Sequence, residues 1–189
     1  MRFGLMVMAG LLAMSGGAWA QAIVLSPAQP QPNEASLSPG LAVSYAYPGD
    51  VRSLADAERN RSRAVPGPAL VGLDYVDTAR GVNALTSDRS EKVVAFIRGY
   101  MRFDSAGEYR LEFHSNDGLR VEIGGAEVYR SDYRHPCETE GWETVSIPEP
   151  GWYPLEATFF QRLQTSCLML RWEDPDGNRA WTSNTVFAH

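Results

Sequence analysis

The chain has few of the residues from which catalytic and metal centres are most often built. Of its 189 residues only three are histidine and two are cysteine. His114, His135 and His189 fall at a strand end, in a polar loop and at the C-terminus, far apart in sequence. No Gly-x-Ser-x-Gly elbow, His-Glu-x-x-His helix or glycine-rich phosphate loop is present. Carboxylates are plentiful, but no spacing sets a catalytic pair apart from solvated strand faces. Catalysis needs a nucleophile, or an acid and a base, with partners. No motif supplies them, and the chain reads as non-enzymatic.

Positive charge is also scarce. The 17 Lys and Arg are scattered among 23 Asp and Glu, for a formal net charge of −6. Nucleic acid is therefore not an expected partner, because phosphate binding needs a concentrated basic patch. The acidity itself reads as solubility. Beyond the first twenty residues no long apolar run occurs, so no membrane span is expected in the mature chain. Those twenty residues run from Met1-Arg2-Phe3 through an apolar stretch, Gly4 to Met14, to Ala18-Trp19-Ala20. One basic residue, a short apolar middle and small residues at the end predict a signal peptide over 1–20, and a periplasmic or extracellular destination. No cysteine near the cut is available for lipid attachment.

That destination is oxidising, which makes a disulfide between Cys137 and Cys167 the leading expectation. Such a bridge would contribute about 3 to 4 kcal/mol in the chain-entropy model. Two buried free thiols are the alternative.

What is present is alternation. Residues 21–40 are rich in Pro, Gln, Ser and Asn and are expected to form a flexible linker. A single domain is expected over 41–189, opening with Leu41, Val43, Tyr45 and Tyr47 as a strand. Asp50 to Asn60 is the one helix candidate, and Pro66-Gly67-Pro68 is expected to exclude regular structure. From Val93 on, apolar residues alternate with polar ones over Tyr109–Phe113, Leu119–Ile123, Trp152–Phe160 and Leu168–Trp172. Ser105-Ala106-Gly107, Ser115 to Gly118 and Gly124-Gly125 read as turns of antiparallel hairpins. Ser131 to Gly141 reads as a polar surface loop. Many short strands without a crossover helix specify an all-β antiparallel two-sheet sandwich or barrel.

Candidate ligand residues lie at the corners. Asn116-Asp117-Gly118 offers two oxygen donors and a glycine, which suits a hard cation and suits a tight turn equally. Asp174 to Asn178 lacks the remaining ligands of a calcium loop and reads as a turn. Among the aromatics, alternation sends Tyr153 and Trp172 to the core and leaves Trp142, Trp152 and Trp181 as candidate sugar-stacking rings.

The runs Phe96-Ile97-Arg98-Gly99-Tyr100, Ala106-Gly107-Glu108-Tyr109-Arg110-Leu111, Ser115-Asn116-Asp117-Gly118-Leu119-Arg120-Val121, Gly124-Gly125, Gly151-Trp152-Tyr153-Pro154-Leu155 and Leu170-Arg171-Trp172 resemble, in order, the domain family named after the anthrax protective antigen. Gly40 to Tyr47 is similar to that family's first strand. The resemblance covers nearly all of the chain after residue 40. It implies a β-barrel-like sandwich and a secreted carbohydrate-binding module. In the family's fungal adhesins two adjacent aspartates joined by a cis peptide, with an asparagine from a second loop, hold a calcium that binds sugar hydroxyls. The matching positions here are Asn116 and Asp117 for the pair and Gln161 for the asparagine. Calcium is thus the implied cofactor, and loops around Asn116, Asp117, His135 and Gln161 the implied glycan site. Both matches depart from the adhesin pattern: an amide replaces one carboxylate, and Gln is longer than Asn. The alternative is a structural or protein-interaction domain of the cell envelope without a sugar ligand.

Overall fold

The structure is a computed structural model that describes residues 22–189. The signal peptide expected over 1–20 lies outside the described residues. The strands are β1 (Ile23–Val24), β2 (Leu41–Ala46), β3 (Val65–Leu70), β4 (Asp74–Tyr75), β5 (Val93–Phe103), β6 (Gly107–Asn116), β7 (Leu119–Ile123), β8 (Ala126–Ser131), β9 (Glu143–Ile147), β10 (Gly151–Gln161), β11 (Cys167–Glu173), β12 (Arg179–Trp181) and β13 (Phe187–Ala188). Among the described residues one helix of more than a single turn, α1 (Leu54–Glu58), falls inside the expected 50–60 segment and is capped by Ser53, whose Oγ accepts the Asp56 N–H.

Two sheets pack face to face, as the alternation predicts. The smaller runs β1-β9-β6-β11-β12 with β4 added on β11, and the larger runs β3-β2-β5-β10-β7-β8 with β13 added on β5. Their inner faces carry the alternating apolar residues, and Phe103 ties the two together. Its ring stands edge-on to Tyr109 of β6 and Tyr153 of β10, with centroids 4.9 and 5.3 Å away. The unbroken apolar run Val93–Ile97 is buried on both faces: Val94 and Phe96 turn outward, where Leu54 and Ala57 of α1 cover them.

Three expectations are corrected. First, most corners are not hairpins. β5 and β6 lie in different sheets, as do β6 and β7, so the turns at 105–107 and 115–118 carry the chain across the sandwich. Gly124-Gly125 does close a hairpin, β7 with β8, and Asp174 to Asn178 closes another, β11 with β12. In the latter, Asp174 Oδ1 accepts the N–H groups of Asp176 and Asn178 at 3.0 and 2.8 Å, which makes the segment a self-satisfied turn. Second, Pro66-Gly67-Pro68 lies inside β3. This is an edge strand, where a missing N–H on the open side leaves no ladder bond unmade.

Third, residues 22–40 are not a free linker. β1 lies parallel to β9 on the edge of the smaller sheet, Leu25 is buried, and its N–H donates to Ser146 O at 3.0 Å. An open edge offers unpaired backbone groups, and a few anchors are enough to hold a polar segment on it. The same segment covers Trp152, which is only 7% exposed, and Trp152 Nε1 donates to Glu34 Oε1. Trp152 therefore leaves the set of candidate stacking rings. Tyr153 is in the core and Trp172 packs against it, as expected.

Candidate functional site

The site begins where the chain changes sheets. Asn116 ends β6, Asp117 and Gly118 make the crossing, and Leu119 begins β7. Two reciprocal backbone bonds clamp this crossing to the end of β10: Asp117 N–H donates to Phe160 O, and Phe160 N–H donates to Gly118 O, at 3.0 and 2.9 Å. The peptide bond between Asn116 and Asp117 is cis. Gly118 is required for room, and not for the left-handed backbone that a tight turn would need. A Cβ there would lie 2.2 Å from Phe160 Cε1 and 2.9 Å from Ser131 O.

Two further loops meet this corner. Residues 162–166 follow β10, and residues 132–142 follow β8. The disulfide Cys137–Cys167, with Cα atoms 5.8 Å apart, ties the second loop to the first residue of β11. That residue stands opposite Asn116 in the ladder, so the bridge fixes the loop beside the crossing.

Side-chain bonds then set the donors. Asn116 Nδ2 donates to Thr165 Oγ1 at 2.8 Å, and Asp117 Oδ2 accepts the Arg162 N–H at 2.7 Å. Burial pushes the Asp117 carboxyl above its ordinary range, opposed by that N–H and by the nearby His135 and Arg134. His135 is buried, with Nδ1–H donating to Pro136 O at 2.8 Å and Nε2 paired with Ser131 Oγ at 3.0 Å. The Arg162 guanidinium turns away to Asp50, at 2.7 Å, and holds that carboxyl far below its usual range.

Asn116, Asp117, Arg134, His135, Arg162 and Thr165 line one cavity of about 310 Å³ at this end of the sandwich. Three of the four expected ligand residues, Asn116, Asp117 and His135, are thus brought together. Gln161 is not among the lining residues. It is 0% exposed, and its Nε2 donates to Thr165 O at 3.2 Å. Arg134, Arg162 and Thr165 escape sequence inspection. Arg162 acts through its backbone N–H, which residue type does not encode, and Arg134 looks like any exposed arginine.

One cluster of metal-type side chains occurs among the described residues, Asp77 with Cys137 and Cys167. Its two sulfurs are bonded to each other, so no thiolate is left to ligate. No helix among the described residues is long and apolar enough to cross a membrane.

No family model matches the sequence, and no curated protein is similar to it. Solved structures do match. The PA14 domain of the MpAFP antifreeze protein aligns at 17% identity and a TM-score of 0.68, over 85% of this chain and 96% of that one. The PA14 sugar-binding domain from an RTX adhesin aligns at 14% identity and 0.62, over 80% and 99%. The epithelial adhesin 9 A domain from Candida glabrata, solved with Galb1-3GlcNAc, aligns at 14% identity and 0.64, over 86% and 92%. The chain has the PA14 fold, the fold that the sequence resemblance implies.

Proposed function

We propose that the protein is a secreted, non-catalytic module that binds carbohydrate in the cavity over Asn116 and Asp117. The observation that carries this reading is the convergence of three loops on one cavity at the end of a rigid sandwich. It presents an amide, a carboxylate, an exposed guanidinium and a hydroxyl, over a buried imidazole whose two nitrogens are already hydrogen-bonded. Its volume is at the lower end of ligand pockets and suits one or two sugar rings. A mixed set of donors and acceptors is what sugar hydroxyls need. Two of the solved relatives support the reading by their descriptions, one as a sugar-binding domain and one in complex with a disaccharide.

The residues here do not fit the adhesin type of calcium cage. Calcium affinity follows the number of charged oxygens and the rigidity with which they are held. Among the described residues Asp117 is the one carboxylate lining the cavity, and one of its oxygens already accepts the Arg162 N–H. Arg134 lines the same cavity and has no ion pair among the described residues. Gln161 Oε1, a buried acceptor with no hydrogen-bond partner, would suit a cation. It is not among the residues that line the cavity, and its own amide donates to Thr165 O, a carbonyl that a cation would want. In this reading the sugar is held directly: Asp117 and Asn116 accept from hydroxyls, and Arg134 donates to a ring or hydroxyl oxygen.

A glycan array probed with the wild type and with Asp117→Ala tests the proposal. Glycan signal that disappears in the variant supports it. An array without signal for the wild type contradicts it and favours an interaction domain that has kept the fold without a sugar ligand.

A further inference from the structure

The outer face of the smaller sheet carries a cluster that the cavity does not use. Arg110 and Glu112 of β6, Arg171 and Glu173 of β11, and Arg179 and Trp181 of β12 all point outward. In the ladder, Glu112 faces Arg171 and Arg171 faces Trp181. The β6–β9 register, carried one step beyond Leu111 and Glu143, places Trp142 beside Glu112. Trp142, Glu112, Arg171 and Trp181 therefore form one rung across four chain segments.

Arginine gathers around this rung. The guanidiniums of Arg110, Arg171 and Arg179 lie 5.1, 5.0 and 5.4 Å from the Trp142 ring, and that of Arg171 is also 5.7 Å from Trp181. Glu112 and Glu173 neutralise part of the charge. Arg171 and Arg179 meet them through Nε, however, and their terminal nitrogens make no hydrogen bond among the described residues. Trp181 is 52% exposed on an edge strand whose three residues are all open to solvent. Around this rung three guanidiniums thus meet two carboxylates beside a half-exposed indole, while Glu108 and Asp74 lie farther out on the same face.

We propose that this face is a second ligand surface, separate from the cavity, which takes a uronic-acid polysaccharide. Carboxylates of the polymer engage the terminal nitrogens of Arg171 and Arg179, and a sugar ring stacks on Trp181. Planar guanidinium–carboxylate pairing matches the chemistry already used within the rung. The open indole selects for a sugar ring over a flexible acidic chain, because a flat π-face rewards contact with a ring.

Affinity electrophoresis in gels containing polygalacturonate tests this, with neutral dextran and polyglutamate as comparison polymers. The variants are Trp181→Ala, Arg179→Gln, their double, and Asp117→Ala. Both new substitutions lie on an exposed edge, and thermal melting of each confirms the fold. Polygalacturonate is expected to retard the wild type and Asp117→Ala alike, and the double variant to bind about ten-fold more weakly. Three results would overturn the proposal: no retardation of the wild type, equal retardation of the double variant, or equal retardation by polyglutamate. Loss of binding in Asp117→Ala alone would also overturn it, by assigning the acid to the cavity. None of these outcomes decides whether the cavity binds a neutral glycan, which the array reads separately.

Discussion

The side chain of Gln31 pairs with the backbone of Trp152 in both directions: Trp152 N–H donates to Gln31 Oε1 at 2.8 Å, and Gln31 Nε2 donates to Trp152 O at 3.0 Å. One amide side chain thus stands in for a strand residue and fastens the N-terminal segment to β10. Replacing Gln31 with Ala leaves the Trp152 N–H without that partner, while Trp152 O keeps the Ala28 N–H, and is expected to cost about 1 to 3 kcal/mol. Leu25→Ala, which empties a buried site under the same segment, is expected to cost about 2 to 5 kcal/mol. Urea denaturation of the two variants measures both. Wild-type midpoints would return residues 22–40 to the status of a linker.

The bridge between Cys137 and Cys167 closes a separation of 30 residues. The double Cys→Ser variant is expected to lose about 3 to 4 kcal/mol by denaturant titration. Because the bridge also holds the loop of Arg134 and His135 beside Asn116, ligand affinity is expected to fall even at temperatures where the variant stays folded.

Gly118→Ala places a methyl group against Phe160 and the Ser131 carbonyl. Overpacking of this kind, partly against backbone, is expected to cost about 3 kcal/mol. Phe160→Leu in the same chain removes the ring and should recover part of the loss, so a double-mutant cycle is expected to show coupling between the positions. Additive effects would place the requirement for glycine elsewhere.

Burial raises the Asp117 carboxyl above its ordinary range. Below the unfolded-state value the group is protonated in both states and imposes no penalty. As pH rises from there through the folded-state value, the unfolded chain releases its proton first, and stability falls. Asp117→Asn removes this dependence, so the wild type should lose stability relative to the variant as pH rises through that window. Urea titrations at several pH values measure the difference. A constant difference would mean that the carboxyl is not desolvated.

Much of the fold was legible because a two-residue period encodes which side chains face the core. The same period does not encode which sheet a strand joins. The corners 105–107 and 115–118 look like hairpin turns in sequence, yet they cross the sandwich. Composition misled for residues 22–40 because two anchors, Leu25 and Gln31, outweigh a polar average once an open edge is available. Pro66 and Pro68 misled because their cost depends on whether the strand is internal or at an edge. At the candidate site, Asn116 and Asp117 were legible through the family resemblance. Gln161, taken by the same route, is fully buried and does not line the cavity. The contributions of Arg162 and Thr165 rest on a backbone N–H and a loop hydroxyl whose positions only the fold supplies.

Direct sugar binding over Asn116 and Asp117 is measured by isothermal titration of the strongest array glycan into the wild type, in a calcium chelator and again with calcium restored. The same affinity is expected in both conditions, with loss of binding in Asp117→Ala and Arg134→Ala. Heat that vanishes with chelator and returns with calcium, or binding that survives both substitutions, would contradict it.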